Sequence, residues 1–113
     1  MRKLVVAALI AVLAALFAAQ ALAARRSVKV GDNYFVRRGS APTITVHKGD
    51  RVKWVWSGSH LHNVFVRRGP AKFHSDFMSS GSYSHRMRRV GTYKIVCTIH
   101  QADGMRMTLR VIR

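Results

Sequence analysis

The chain has 113 residues, a single cysteine, and twenty Lys and Arg set against four acids, for a formal charge of +16. One cysteine excludes an intramolecular disulfide, and the length excludes more than one sizeable domain once a leader is set aside. Charge of this size favours acidic partners, anionic lipid, wall polymers or nucleic acid, and it says nothing about fold.

Met1-Arg2-Lys3 is a positive n-region, Leu4 to Ala19 is an unbroken apolar run, and Ala21-Leu22-Ala23 reads as a small-x-small cleavage site. The expectation is an N-terminal signal-peptide helix over residues 1–23, cut after Ala23. The alternative is a retained anchor: Leu4 to Ala24 is long enough to cross ~30 Å of hydrocarbon, and Arg25 and Arg26 follow directly. Either way residues 24–113 lie outside the cytoplasm, in the periplasm, on the cell-envelope surface or secreted. Two of the twenty bases belong to the leader, so this part carries eighteen bases and four acids, a charge of +14. A lone thiol in an oxidising space is buried, paired between chains, or bound to metal.

After residue 25 the hydrophobic signal has period two. In chain order, strands read at Ser27 to Val30, Tyr34 to Val36, Thr43 to Val46, Arg51 to Trp56, His62 to Val66, Ser82 to Met87, Tyr93 to Cys97 and Met105 to Val111. The clearest are Arg51-Val52-Lys53-Trp54-Val55-Trp56, with Val52, Trp54 and Trp56 on one face, and Met105, Met107, Leu109 and Val111 opposite Arg106, Thr108 and Arg110. Gly31-Asp32, Gly39-Ser40, Lys48-Gly49-Asp50, Ser57-Gly58-Ser59, Gly69-Pro70 and Ser79-Ser80-Gly81 punctuate them with turn chemistry. Pro70 to Gly81 lacks clean alternation and is assigned a short helical turn. Seven or eight short strands at this spacing predict an all-β sandwich or barrel. Many bases then fall on the solvent side of the strands, where they discourage edge-to-edge pairing of sheets.

The stretch Cys97-Thr98-Ile99-His100-Gln101-Ala102-Asp103-Gly104-Met105 puts a thiol, an imidazole and a thioether into one loop between two strands. Cys97 closes its strand pointing inward, and Met105 opens the next one pointing inward too. His62, at the head of an earlier strand, brings a second imidazole. Two imidazoles and a thiolate in a trigonal set, with a weak thioether on the axis, form the ligand chemistry of a blue copper site. His60 is the rival to His62 on the same parity; His62 is preferred because Asn63 and Val64 follow it and begin the apolar strand. Met107 reads as packing one layer deeper than Met105, with a swap of the two roles as the alternative, His85 as a core histidine, and His47 and His74 as loop or surface residues.

Gly91-Thr92-Tyr93 leading into Cys97, the C-x2-H-x4-M spacing and the Gly before Met105 resemble the terminal strand-loop-strand of the plastocyanins, within the cupredoxins. His62-Asn63-Val64 resembles the family's upstream ligand strand. Val30-Gly31-Asp32-Asn33-Tyr34-Phe35 and the stretch from Val46 to Trp54 resemble the early strands of small bacterial members. The likeness covers essentially all of residues 24–113. It implies a cupredoxin-like Greek-key β-sandwich or barrel of seven or eight strands, with one type 1 copper ion per chain bound by His62, Cys97, His100 and Met105. It further implies that Asn63 braces the two ligand loops through a hydrogen bond toward Thr98, and that the edge of His100 is the exit for electrons. The acidic surface patches of plant plastocyanins have no counterpart here.

The function implied is a blue copper protein that passes single electrons between redox partners, not an enzyme, because four protein ligands leave no open position for a substrate. A copper carrier or store would use the same ligands but hand over the metal itself. Copper-dependent nitrite reduction needs a second such domain. The partners expected are acidic redox proteins, with an anionic membrane or wall surface as a further candidate. No recognised nucleic-acid motif appears, and the chain is expected to be a monomer. Around His100, the residues Ile99, Ala102 and Gly104 are expected to offer an uncharged contact surface, with Arg86, Arg88, Arg89 and Arg106 farther out.

Overall fold

The computed structural model describes residues 23–113, so the expected leader over residues 1–23 lies almost wholly outside the described residues. In chain order the strands are β1 (Arg25–Gly31), β2 (Tyr34–Phe35), β3 (Thr43–His47), β4 (Arg51–Trp56), β5 (Phe65–Arg68), β6 (Ser82–Arg86), β7 (Gly91–Val96) and β8 (Arg106–Ile112). They form two four-stranded sheets, ordered β2-β1-β4-β6 and β3-β8-β7-β5. β1 runs parallel to β4 and β3 parallel to β8, while the other neighbours are antiparallel.

Alternation dictates which faces meet. In β4 the burial of Val52, Trp54 and Trp56 alternates with the exposure of Arg51, Lys53 and Val55. In β8 the buried Met107, Leu109 and Val111 alternate with Arg106, Thr108 and Arg110. A one-residue slip in either strand would turn three apolar side chains into water, so the register is strongly specified. The two inner faces interlock where Trp54 Nε1 of one sheet meets Met107 Sδ of the other at 3.5 Å. Phe73 closes one side, its ring 6.0 Å from that of Trp54 and 6.1 Å from that of Tyr93. Among the described residues every apolar core side chain lies between Val28 and Val111, so the sandwich buries its own core.

Two sequence expectations are corrected. The strand expected from His62 begins only at Phe65, and His62 is held instead by an isolated bridge to Met78. Pro70 to Gly81 contains no helical turn. Its Phe73, Ser75 and Met78 backbones bond to Val66, Val64 and His62, which draws the segment out along β5. The one helical turn among the described residues is Gln101–Asp103, inside the loop between β7 and β8.

The two ends of the sandwich differ. One gathers the ends of β1, β4 and β7 with the start of β8. The other gathers the starts of β1, β4 and β7 with the ends of β6 and β8.

Candidate metal centre

The β7–β8 loop is shaped by its own backbone. Cys97 N–H donates to the Met105 carbonyl at 3.2 Å, which closes the loop onto the last rung of the ladder. Inside it, His100 N–H donates to Cys97 O, Asp103 N–H to His100 O, and Met105 N–H to His100 O. Gly104 sits at φ 87°, a left-handed conformation that a side chain disfavours, and it reverses the chain just before Met105. Cys97 and Met105 are completely buried, whereas His100 is partly exposed.

His62 arrives from the neighbouring loop. Its backbone exchanges both hydrogen bonds with Met78, at 2.9 and 3.0 Å, and the residue is fully buried. Its Nδ1 lies 3.1 Å from His100 Nδ1 and 3.9 Å from Cys97 Sγ, while His100 Nδ1 lies 3.5 Å from that sulfur. Three donors about 2.0–2.3 Å from one ion in a trigonal plane would stand about 3.5 Å apart. The triangle of His62, Cys97 and His100 therefore fits a soft metal ion. Burial, and then the charge of His62, hold the His100 imidazole below its ordinary value. That favours the neutral form that can bind metal.

Behind His62 stands Asp32, to which the sequence alone assigns no ligand-supporting role. Asp32 Oδ1 accepts a hydrogen bond from His62 Nε2 at 2.9 Å. Its carboxylate also takes the backbone N–H groups of Ser59 and His60, at 3.1 and 3.0 Å. A Cβ on Gly58 would collide with Asp32 Oδ1, so the approach requires glycine there. These bonds, the one from His62 foremost, hold the Asp32 carboxyl well below the usual carboxylate range. With Nε2 turned to Asp32, Nδ1 is the ring nitrogen that His62 directs at His100 and Cys97.

The other histidines are excluded by position. His60 is exposed, and its ring reaches only Asp32, at 3.8 Å. His85 stacks on Phe73 with ring centroids 4.0 Å apart. His47 and His74 are exposed. Met107 is committed to Trp54. Asn63 Oδ1 accepts from Thr98 N–H at 2.8 Å, the brace expected from the resemblance.

The sequence profile of the family "Copper binding proteins, plastocyanin/azurin family" matches residues 26–112. The chain belongs to this family. It is 31% identical to a plastocyanin of Prochlorothrix hollandica over 104 residues, covering 85% of this chain and 79% of that one. It is 27% identical over 95 residues to a plastocyanin of Scenedesmus fuscus, covering 75% of this chain and 97% of that one. Among solved structures, a copper(I) form of an amicyanin variant matches with a TM-score of 0.64 and 26% identity, over 83% of this chain and 88% of that one. A copper-containing nitrite reductase from Thermus scotoductus shares the fold at a TM-score of 0.67, with 20% identity and only 22% of its own length covered. The all-β cupredoxin fold and copper as the cofactor, both expected from the sequence, agree with these findings.

The surface around the centre departs from expectation in one respect. Arg106 does flank the loop, donating to the Gln101 carbonyl at 3.1 Å. Arg86, Arg88 and Arg89 lie at the opposite end of the sandwich, because β6 runs away from the centre: Arg86 pairs with Arg51 at the start of β4. The bases beside the loop are instead Arg67, Arg68 and Lys94, which with Arg106 and Gln101 line a cavity of about 430 Å³. Sequence reasoning also missed Leu61 and Phe77, which stand exposed beside the segments that carry His62.

Proposed function

We infer that this protein is a blue copper electron carrier, with one copper per chain held by His62, Cys97, His100 and Met105. Bound copper supplies a one-electron couple; the chain supplies a preformed cage. The observation that carries this reading is the tight triangle of two imidazole nitrogens and one sulfur on a braced loop, with Met105 buried where that loop closes on Cys97. The Cys97 thiolate and Met105 thioether suit copper(I), and the imidazoles suit both oxidation states. The closed loop and the Asn63 brace keep the donors in place as charge changes, so little has to move when an electron arrives or leaves.

A set of four protein ligands leaves no position for a substrate, which supports a carrier and not an enzyme. A copper store is the second reading. Against it, no methionine among the described residues is exposed, so no thioether array is presented for handing over metal.

Electrons leave through the partly exposed ring of His100. Ile99, Leu61 and Phe77, each about half exposed, give this end an apolar contact surface. Arg67, Arg68, Lys94 and Arg106 give it a basic flank. That combination fits an acidic redox protein as partner. The apolar leader in the sequence supports a location outside the cytoplasm, and the high charge supports a monomer.

The optical spectrum tests the assignment. Copper(II) protein should show an intense visible thiolate-to-copper band at one copper per chain, absent after reduction and in Cys97→Ser. A colourless copper(II) complex of the wild type would overturn the blue-site reading.

A further inference from the structure

The end of the sandwich opposite the metal centre concentrates positive charge at an energetic cost. Arg25, Arg51 and Arg86 occupy directly paired positions across β1, β4 and β6, all exposed, and like charges placed directly opposite repel. Lys48, Arg88, Arg89 and Arg113 line a cavity of about 610 Å³ at the same end. The acid there, Asp50, is buried, and its two oxygens are taken by the N–H groups of Ala24 and His47 at 3.0 and 2.8 Å. The other acids, Asp32, Asp76 and Asp103, lie near the metal centre or on the segments that reach it. Those three acids offset bases at the metal end, whereas no exposed acid offsets the bases of this pole.

The chain enters at this same cationic end. Ala24 O accepts the Arg51 N–H at 3.0 Å, and residues 4–19, joined just before it, are uniformly apolar in sequence. We propose that this pole docks on an anionic lipid bilayer and leaves the Cys97–Met105 loop facing away, toward soluble partners. Seven exposed bases within one pole sum their attraction to acidic headgroups, and salt screens that attraction over ~10 Å at 0.1 M. Exposed Val90, between Arg89 and β7, offers one apolar side chain to the headgroup layer. The inference is independent of the copper reading, since vesicle binding and the blue spectrum can fail separately.

Residues 24–113, which bury their own core, can be sedimented with vesicles of phosphatidylcholine alone or with about one-third phosphatidylglycerol. Binding should require phosphatidylglycerol and weaken about tenfold or more between low and high salt. Arg88→Gln/Arg89→Gln/Arg113→Gln should weaken it about tenfold, whereas the equal charge loss of Lys29→Gln/Lys53→Gln/Arg110→Gln on the sheet faces should cost far less. No binding, equal binding without phosphatidylglycerol, equal loss in both triple variants, or tighter binding to soluble polyphosphate would each overturn the proposal.

A second observation stands apart from this one. The carboxylate of Asp32 is the partner of His62 Nε2, and the geometry points to Asp32 as the residue that sets the tautomer of His62 and the potential of the centre. A carboxylate accepting Nε2–H enriches the Nδ1 lone pair and favours the more highly charged copper(II). Asp32→Asn keeps an acceptor for Ser59 and His60 but removes the charge. Its potential should rise, and its copper(II) affinity should fall about tenfold, while Asp32→Glu should restore part of both. In the metal-free protein, nitrogen NMR should find His62 protonated on Nε2, with that preference lost in Asp32→Ala. An unchanged potential in Asp32→Asn, or a His62 protonated on Nδ1 in the wild type, would overturn it.

Discussion

Asn63 Oδ1 accepts both the backbone N–H and the hydroxyl of Thr98, at 2.8 and 3.2 Å, which ties the residue after one imidazole to the residue after the thiolate. Asn63→Ala strands a partly buried N–H, a loss of about 1 kcal/mol. It should lower the melting temperature and speed copper loss. Thr98→Val keeps the stronger of the two bonds and should cost less. Thermal unfolding followed at the visible band measures both; equal effects would mean the hydroxyl, not the amide, carries the brace.

Burial separates the two candidate histidines. His62 is fully enclosed, whereas the His60 side chain is 63% exposed and contributes chiefly its backbone N–H to Asp32. His62→Ala should abolish the blue spectrum and His60→Ala should leave it intact. Loss of colour in His60→Ala alone would move the first ligand two residues upstream.

Met105 and Met107 share a face but not a role. Met107 packs against the Trp54 indole, while Met105 sits at the loop's closing rung beside Cys97. Met105→Leu should keep a coloured centre at a raised potential, because the axial thioether is one of the groups that tune it. Met107→Leu should leave the potential unchanged and destabilise the fold by about 1–3 kcal/mol, because the buried Trp54 Nε1–H loses its sulfur acceptor. Voltammetry and denaturant unfolding together tell them apart.

His85 gives stability a pH dependence. Burial against Phe73, and then the charges of Arg88 and Arg51, hold its imidazole below the ordinary value of 6.5. The native ring stays neutral where the unfolded one has already bound a proton, so stability is lost as pH falls below about 6.5, until the native ring is protonated too. The melting temperature should therefore drop between neutral and mildly acidic pH, and His85→Leu should reduce that drop. His100 is shifted in the same direction, but it is common to both proteins, so the difference between them isolates His85.

What the sequence revealed follows range. The alternation of β4 and β8 is local, and burial of one face enforces it, so strands, faces and core were legible. The Cys97–Met105 loop was legible for the same reason: three donors lie within nine residues, between two strands of known facing. His62 could be chosen over His60 only through its neighbours. Asp32 gave no signal at all, since a Gly31-Asp32 pair reads as a turn, and only closure of the sheet brings it to a histidine thirty residues later. The arginines of β6 and its following turn were misplaced because alternation shows which face a side chain takes and not which end of the sandwich it reaches. That depends on strand direction, here fixed by the antiparallel pairing of Arg86 with Arg51. Leu61 and Phe77 escaped notice because isolated apolar residues in turns carry no period.

Charge near the exit should govern encounter with a partner. Arg67 is bonded to the Gln101 side chain, directly after His100, and with Arg68 it lines the basic cavity on that flank. Long-range attraction raises the association rate with an acidic oxidant, and salt screens it over ~10 Å at 0.1 M. Stopped-flow mixing of the reduced protein should therefore slow with rising salt when the oxidant is acidic, and speed up when it is basic. Arg67→Gln/Arg68→Gln should lower the rate with the acidic oxidant at low salt and flatten its salt dependence, because these charges sit where the partner docks. Arg88→Gln/Arg89→Gln removes equal charge from the far pole and should change the rate much less. Equal effects of the two pairs would show that net charge steers the encounter, with no oriented docking. Rates insensitive to salt with both oxidants would mean that the charge serves the far pole alone.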